Sequence, residues 1–249
     1  NNSGTDELIF GTNITVHVTN AAIDFGAGKS YINGTLQLNQ NGGVTNAPIY
    51  GNASTLKYWY NGASVYGRYN EWNATGVGTI GNTKGYPNNV QISNTTVLDL
   101  GANGGSGTAR AINGNLTIDD GSEMRMSGTS AMTQPLTVGG NLILGQTGAA
   151  TLSLSGTYGG DLKVGGNISF NATYNFNPNN RAVYFIKNGT QTITAPLGRP
   201  STFNYVFFDP ATGSTTLQLV GADMTIAPQS TGDLLTFKSA NDIFEIPAG

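Results

Sequence analysis

The chain has no cysteine, a single histidine, few charges and no long apolar run. Without cysteine there is no disulfide framework, no Cys-containing zinc site and no catalytic thiol. Only 10% of the 249 residues are charged, too few to give long helices solvated Glu and Lys faces. No apolar stretch is long enough for a membrane-spanning helix, which needs about 18 residues or more. Lys and Arg number 11 against 14 Asp and Glu, so no basic footprint for nucleic acid is present. No basic region leads into an apolar stretch, so no signal peptide is visible. The ends, "NNSGTDELIF" and "FEIPAG", read as cuts in a longer or matured chain.

What fills the chain instead is glycine (36 residues), threonine (31) and asparagine (29). These residues favour turns and strands over helix interiors. Apolar residues make up 38%, enough for a core, so the composition is not that of a disordered segment.

A period organises the middle of the chain. Asn89, Asn115, Asn141 and Asn167 recur at one constant interval, a repeat of about 26 residues. Each follows Asn88, Gly114, Gly140 or Gly166, residue types that tolerate a left-handed backbone, so each unit is expected to open at a tight corner. Each is followed by an apolar-x-apolar triplet: Val90/Ile92, Leu116/Ile118, Leu142/Leu144, Ile168/Phe170. That alternation marks a strand with one face inward. A second strand repeats as Leu136/Val138 and Leu162/Val164, but its inner slot holds Lys84 and Arg110 earlier, so the strand is expected to be shorter or shifted there. A third holds Leu98/Leu100, Met124/Met126 and Leu152/Leu154, drifting by two positions at the last step.

Three short strands in each repeat predict an all-β fold, a right-handed parallel β-helix in the form of a three-sided β-solenoid. Each strand pairs with its equivalent about 4.8 Å along the axis, and stacked coils share one core. The key asparagines are placed to stack as an amide ladder. Residues 1–88 read as irregular N-terminal coils with an aromatic-rich insertion or cap, although "NITVHV" and "NGTLQL" are strand-like. Residues 89–203 read as regular coils, and 204–249 as coils of altered length, all in one continuous body. Past Asn167, "FNYVFFD" is expected to be the next unit, arriving later than the period allows. "ADMTI" and "NDIFEI" are expected to follow it at a shorter spacing.

The stretch "LKYWYNGASVYGRYNEW…GYPNNVQISNTTVLDLG…GNLTIDDGSEMRMSG…GGNLIL", with the later "VYFIKNGTQTITAP…FNYVFFDP…TTLQLVGADMTI", resembles repeat-rich surface proteins of the Bacteroidota exported by the type IX secretion system. The likeness covers roughly residues 55 to 226. It implies a secreted or surface-attached β-solenoid, often an adhesin or a gliding-associated fibre segment, with the type IX machinery as a partner. It transfers no catalytic residue. The sorting domain expected at the C-terminus of such cargo is not recognisable.

Tyr58, Trp59, Tyr60, Tyr66, Tyr69 and Trp72 are the candidate carbohydrate-binding residues, because aromatic faces stack on sugar rings. Nearby Arg68 and Glu71 are able to bond hydroxyls. The competing reading is an insertion or cap whose rings pack on the solenoid. Asp119, Asp120 and Glu123 are read as a solvated turn rather than a glycosidase pair or a calcium loop, since adjacent strand residues face opposite sides. His17 alternates with valines and is expected to point outward, with no nucleophile motif beside it. "GANGGSG" lacks the ending of a phosphate loop and reads as a corner. Ten N-x-S/T sequons follow from composition and the Asn-apolar-Thr/Ser strand pattern.

The expected function is a non-catalytic extracellular segment of a large bacterial surface protein, an adhesin or fibre stalk, with no metal and no cofactor. A surface glycan or protein is the expected partner. The alternatives are a carbohydrate-binding module using the Tyr/Trp patch and a polysaccharide-degrading β-helix enzyme.

Overall fold

A computed structural model describes residues 7–61, 66–67, 70–103, 105–171, 173–221, 223–228, 230 and 232–246. Among them the fold is all-β, with a single 3-10 turn at Asn70–Trp72 and no α-helix. No helix is long and apolar enough to cross a membrane. Three long parallel sheets, of ten, six and five strands, carry the structure, with three smaller sheets beside them. This arrangement is consistent with a β-solenoid.

The ten-stranded sheet runs from Thr15–Val18 to Ile243–Glu245. Its central register is Val90 on Leu116, Leu116 on Leu142 and Leu142 on Ile168. The inner row of apolar residues is nearly sealed from solvent: Leu36, Leu56, Leu116, Leu142 and Ile193 are each 0% exposed. The outer row, His17, Gln37, Lys57, Gln91, Thr117, is polar. Period-2 alternation therefore separates the core from the surface along this sheet. His17 points outward, as its place between two valines suggests.

The glycines before the key asparagines have a different reason from the expected one. Gly114, Gly140 and Gly166 are not in the left-handed region. They are small because the asparagine of the preceding strand lies against them. A Cβ on Gly114 would sit 2.5 Å from Asn89 Oδ1, and one on Gly140 2.6 Å from Asn115 Oδ1; Gly166 meets Asn141 Oδ1 in the same way. Those oxygens are engaged. Asn89 Oδ1 accepts the backbone N–H of Asn115 (2.9 Å), Asn115 Oδ1 that of Asn141 (2.8 Å), and Asn141 Oδ1 that of Asn167 (2.7 Å). Thr192 N–H closes the series on Asn167 Oδ1 at 3.0 Å. The ladder thus runs from side chain to backbone rather than from amide to amide. Each Gly-Asn pair is a socket and a plug for its neighbours.

The other walls differ from the sequence register in several places. Arg110 is in register, opposite Leu136, and buried at 4% exposure, so that strand is not shifted. Lys84 is outside the named strands; its ammonium donates to the carbonyls of Ala27 (2.9 Å) and Gly28 (2.8 Å). "FNYVFFD" does not continue the asparagine wall. The strand after Ile168–Phe170 is Gly189–Thr194, with Ile193 opposite Ile168. Tyr205–Phe208 instead joins the six-stranded sheet, with Val206 opposite Val183. Likewise Met224–Ile226 pairs with Ser201–Phe203, while Ile243–Glu245 closes the ten-stranded sheet, so they are not successive units of one wall. Turn lengths vary between strands, and pairing, not spacing, preserves the walls. The drift in the third strand is present: Leu98 opposes Met124, and Met124 opposes Leu152.

The N-terminal part is more regular than its sequence suggests. Val16, Leu36 and Leu56 align at an even interval, shorter than the central one. The step from Leu56 to Val90 is longer than either. The aromatic stretch lies inside that long step.

Candidate functional site

The expected aromatic site lies mostly inside the wall. On the strand Thr55–Trp59, Tyr58 points inward at 0% exposure and Trp59 outward at 39%. Tyr60, Tyr66 and Trp72 are buried as well. Tyr66 packs edge-on against Tyr58 at 5.7 Å and tilted against Tyr60 at 5.8 Å. The Trp72 indole N–H donates to the Ala111 carbonyl at 2.9 Å. Tyr69 and Arg68 lie outside the described residues. Four of the six rings therefore offer no face to a sugar, because core packing claims them. Trp59 remains at the surface, with the Lys57 ammonium 4.4 Å from its ring centre.

Glu71 shows why this cluster packs so deeply. It sits fully buried in the short turn Asn70–Trp72. The Tyr58 hydroxyl donates to Glu71 Oε1 at 2.9 Å, and the Tyr50 hydroxyl to the Glu71 carbonyl at 2.8 Å. Burial, and then the Glu71 charge, hold both phenols well above the ordinary tyrosine value. Glu71 is thus a structural anchor for the turn.

The carboxylates of "IDDGSE" go to separate tasks. Asp119 Oδ2 accepts from Gln91 Nε2 at 2.8 Å and from the Ser93 hydroxyl. Asp120 accepts the backbone N–H of Gln146 at 2.7 Å and the Thr147 hydroxyl at 2.8 Å. The backbone N–H groups of Gln146 and Gly148, with further help from Thr147, lower its pKa to about 2. Glu123 pairs with Arg125 on the same strand at 2.6 Å. Among the described residues no group of three His, Cys, Asp or Glu side chains is placed to hold a metal ion.

A second aromatic cluster, not singled out from the sequence, lies on the outer face of the six-stranded sheet. Tyr184 and Phe207 are register partners, and their rings stack at 4.8 Å with a 22° interplanar angle. Lys163 reaches over Tyr184, 5.4 Å from its centre. Tyr158 stands out from a neighbouring loop at 87% exposure, with the Arg181 guanidinium 5.8 Å from its ring. Beside them the outward slot holds only Ala182, opposite Tyr205. The small residue leaves a notch of about 240 Å³ bordered by Tyr158, Tyr184, Tyr205 and Phe207. An adjoining hollow of about 400 Å³ shares Tyr158, Asp161 and Tyr184.

Polar groups line the same notch. The Ala182 N–H donates to Asp161 Oδ1 at 2.9 Å, which fixes that carboxylate at the rim. Asn180 Oδ1 and Arg181 Nε are shut off from solvent and have no hydrogen-bond partner. Burial, then Asp161, Tyr158 and Asp209, raise the Tyr184 phenol above its ordinary value, so it is a neutral hydroxyl at physiological pH. The sequence signal was available in "AVYF" and "YVFF", where aromatics fill slots that face outward. Recognising it requires the pairing of Val183 with Val206, which lies off the main period.

No protein family, curated protein or solved structure matches the chain.

Proposed function

We propose that the chain is a right-handed, three-sided β-solenoid whose central coils each take about 26 residues. It serves as a non-catalytic, extracellular segment of a large bacterial surface protein, an adhesin or fibre stalk that holds binding surfaces away from the cell. The observation that carries this reading is the ten-stranded parallel sheet, whose strands are locked by side-chain to backbone bonds from Asn89 to Thr192. A body built this way transmits load along backbone ladders, and its sealed core resists unwinding. The three carboxylates of "IDDGSE" are engaged separately, by side-chain hydrogen bonds, a turn and an ion pair, which supports a scaffold over a hydrolase. Export by the type IX machinery belongs to the same reading and rests on the likeness of the repeats.

Antibodies raised against the chain should label intact cells of the organism that makes it. Labelling that appears only after lysis would sink the surface assignment. A carbohydrate-binding role is the second reading; the outer aromatic notch favours it, more than the buried Tyr/Trp stretch does.

A further inference from the structure

We infer that the notch over Ala182 is a binding site for neutral sugars, taking one or two pyranose units of an oligosaccharide. This deepens the adhesive half of the reading above, and rests on it, by naming a ligand class and its site.

The notch exists because one outward slot is small. Ala182 lies between Asp161, which accepts its N–H, and Tyr205, its register partner. Larger side chains stand on both flanks, so the gap has walls and a floor rather than being a flat sheet face. The walls are aromatic. Both faces of Tyr184 are taken, by Phe207 and Lys163, so its ring edge and hydroxyl border the space. Tyr158 has Arg181 near its ring and is otherwise open to solvent, which leaves ring surface for the C–H face of a sugar.

The polar lining selects among ligands. At the notch Asp161 and Asp233 bring acceptors and the Arg181 side chain a donor. A sugar hydroxyl donates and accepts at once. Charge points the same way. Asp161, Asp233, Arg181 and Lys163 lie in the linings of the two hollows, a balanced set that repels neither sign outright and favours neither. An anionic polymer would meet two carboxylates, and a cationic ligand two basic groups. With apolar walls and a few convergent polar atoms, the notch has the make-up of a small-ligand site.

The test is a binding screen on the whole chain. Cellohexaose, mannohexaose, chitohexaose and maltohexaose are titrated by calorimetry and by saturation-transfer NMR, with hexagalacturonate as the anionic control. Saturable binding of at least one neutral hexamer is expected, with saturation transfer from tyrosine ring protons. Tyr158→Ala removes an exposed ring, and Ala182→Leu fills the notch without replacing a polar side chain. Each should weaken binding about tenfold, Tyr158→Ala with an unchanged melting temperature and Ala182→Leu with a lowered one, because Ala182 is only 7% exposed. Trp59→Ala should bind like the parent. No binding by any neutral hexamer, preference for the uronate, or binding that survives both notch variants would overturn the assignment. A chain that labels intact cells but binds no sugar keeps the stalk and loses the notch; one that binds but never reaches the surface does the reverse.

Discussion

One aromatic cluster of this chain faces into the core, and another faces out from a sheet. In the first, Tyr58, Tyr60, Tyr66 and Trp72 crowd into one short stretch of sequence and are buried. In the second, Tyr158, Tyr184, Tyr205 and Phe207 are spread over a much longer stretch and border an open notch. The dense cluster draws the eye in sequence, yet it is core. The dispersed one is assembled only by strand pairing, and it holds the most exposed ring, Tyr158. Local density of aromatics therefore reports packing demand. The long step between the strands at Leu56 and Val90 brings a turn inside, and Trp72 with its hydrogen-bonded indole fills the space.

The largest contrast should appear in stability. Trp72→Ala empties a fully buried site and removes the donor to the Ala111 carbonyl, which is expected to cost about 3–5 kcal/mol. Tyr158→Ala, at an 87% exposed ring, is expected to cost less than about 0.5 kcal/mol. Chemical denaturation of both variants checks this. Equal losses would mean that the two clusters do not differ in burial as described.

Alkaline pH should separate the clusters next. Tyr50 and Tyr58 have folded values raised well above the ordinary 10.0, first by burial and then by Glu71. Their neutral forms thus favour the folded state, a contribution fully present below pH 10 and lost as pH rises toward the folded values. Above pH 10 stability should fall by about 1.4 kcal/mol per pH unit for each of the two tyrosines. Tyr58→Phe should make that slope shallower, although it also leaves Glu71 Oε1 without this donor and lowers stability at neutral pH. An unchanged alkaline slope in Tyr58→Phe would show that the phenol titrates freely.

The central register was readable because alternation and a fixed repeat coincide between Val90 and Phe170. The outlying walls were not, because their turns differ in length while their pairing stays in step. "FNYVFFD" carries the same Asn-apolar pattern as the asparagine wall, and only hydrogen bonding assigns it elsewhere. The glycine before each key asparagine was legible as a requirement but not as a cause. Pattern alone does not distinguish a backbone that needs positive φ from one approached closely by a neighbour. Gly140→Ala tests the second cause: its Cβ would press on Asn115 Oδ1 and the Gly114 backbone, and a loss of about 1–2 kcal/mol is expected in thermal melts. A melting temperature equal to the parent's would show that the socket has room. The proposed carbohydrate site was half legible: the sequence suggested aromatic chemistry but placed it on rings that mostly face inward.

A small effect is expected at the boundary between the inward and outward rings. Tyr58 and Trp59 are neighbours on one strand, and alternation sends one ring in and the other out. Trp59 contacts Lys57 as a cation over its ring, worth about 0.5–1 kcal/mol at an exposed position. Trp59→Ala should therefore cost no more than about 1 kcal/mol. The chain has two tryptophans, so this variant leaves Trp72 as its only indole fluorophore. Its emission should lie to the blue of the parent's and resist acrylamide, because Trp72 is 0% exposed. Red-shifted, readily quenched emission from the folded variant would place Trp72 at the surface. It would then return the stretch from Tyr58 to Trp72 to candidacy as a sugar platform, in competition with the notch over Ala182.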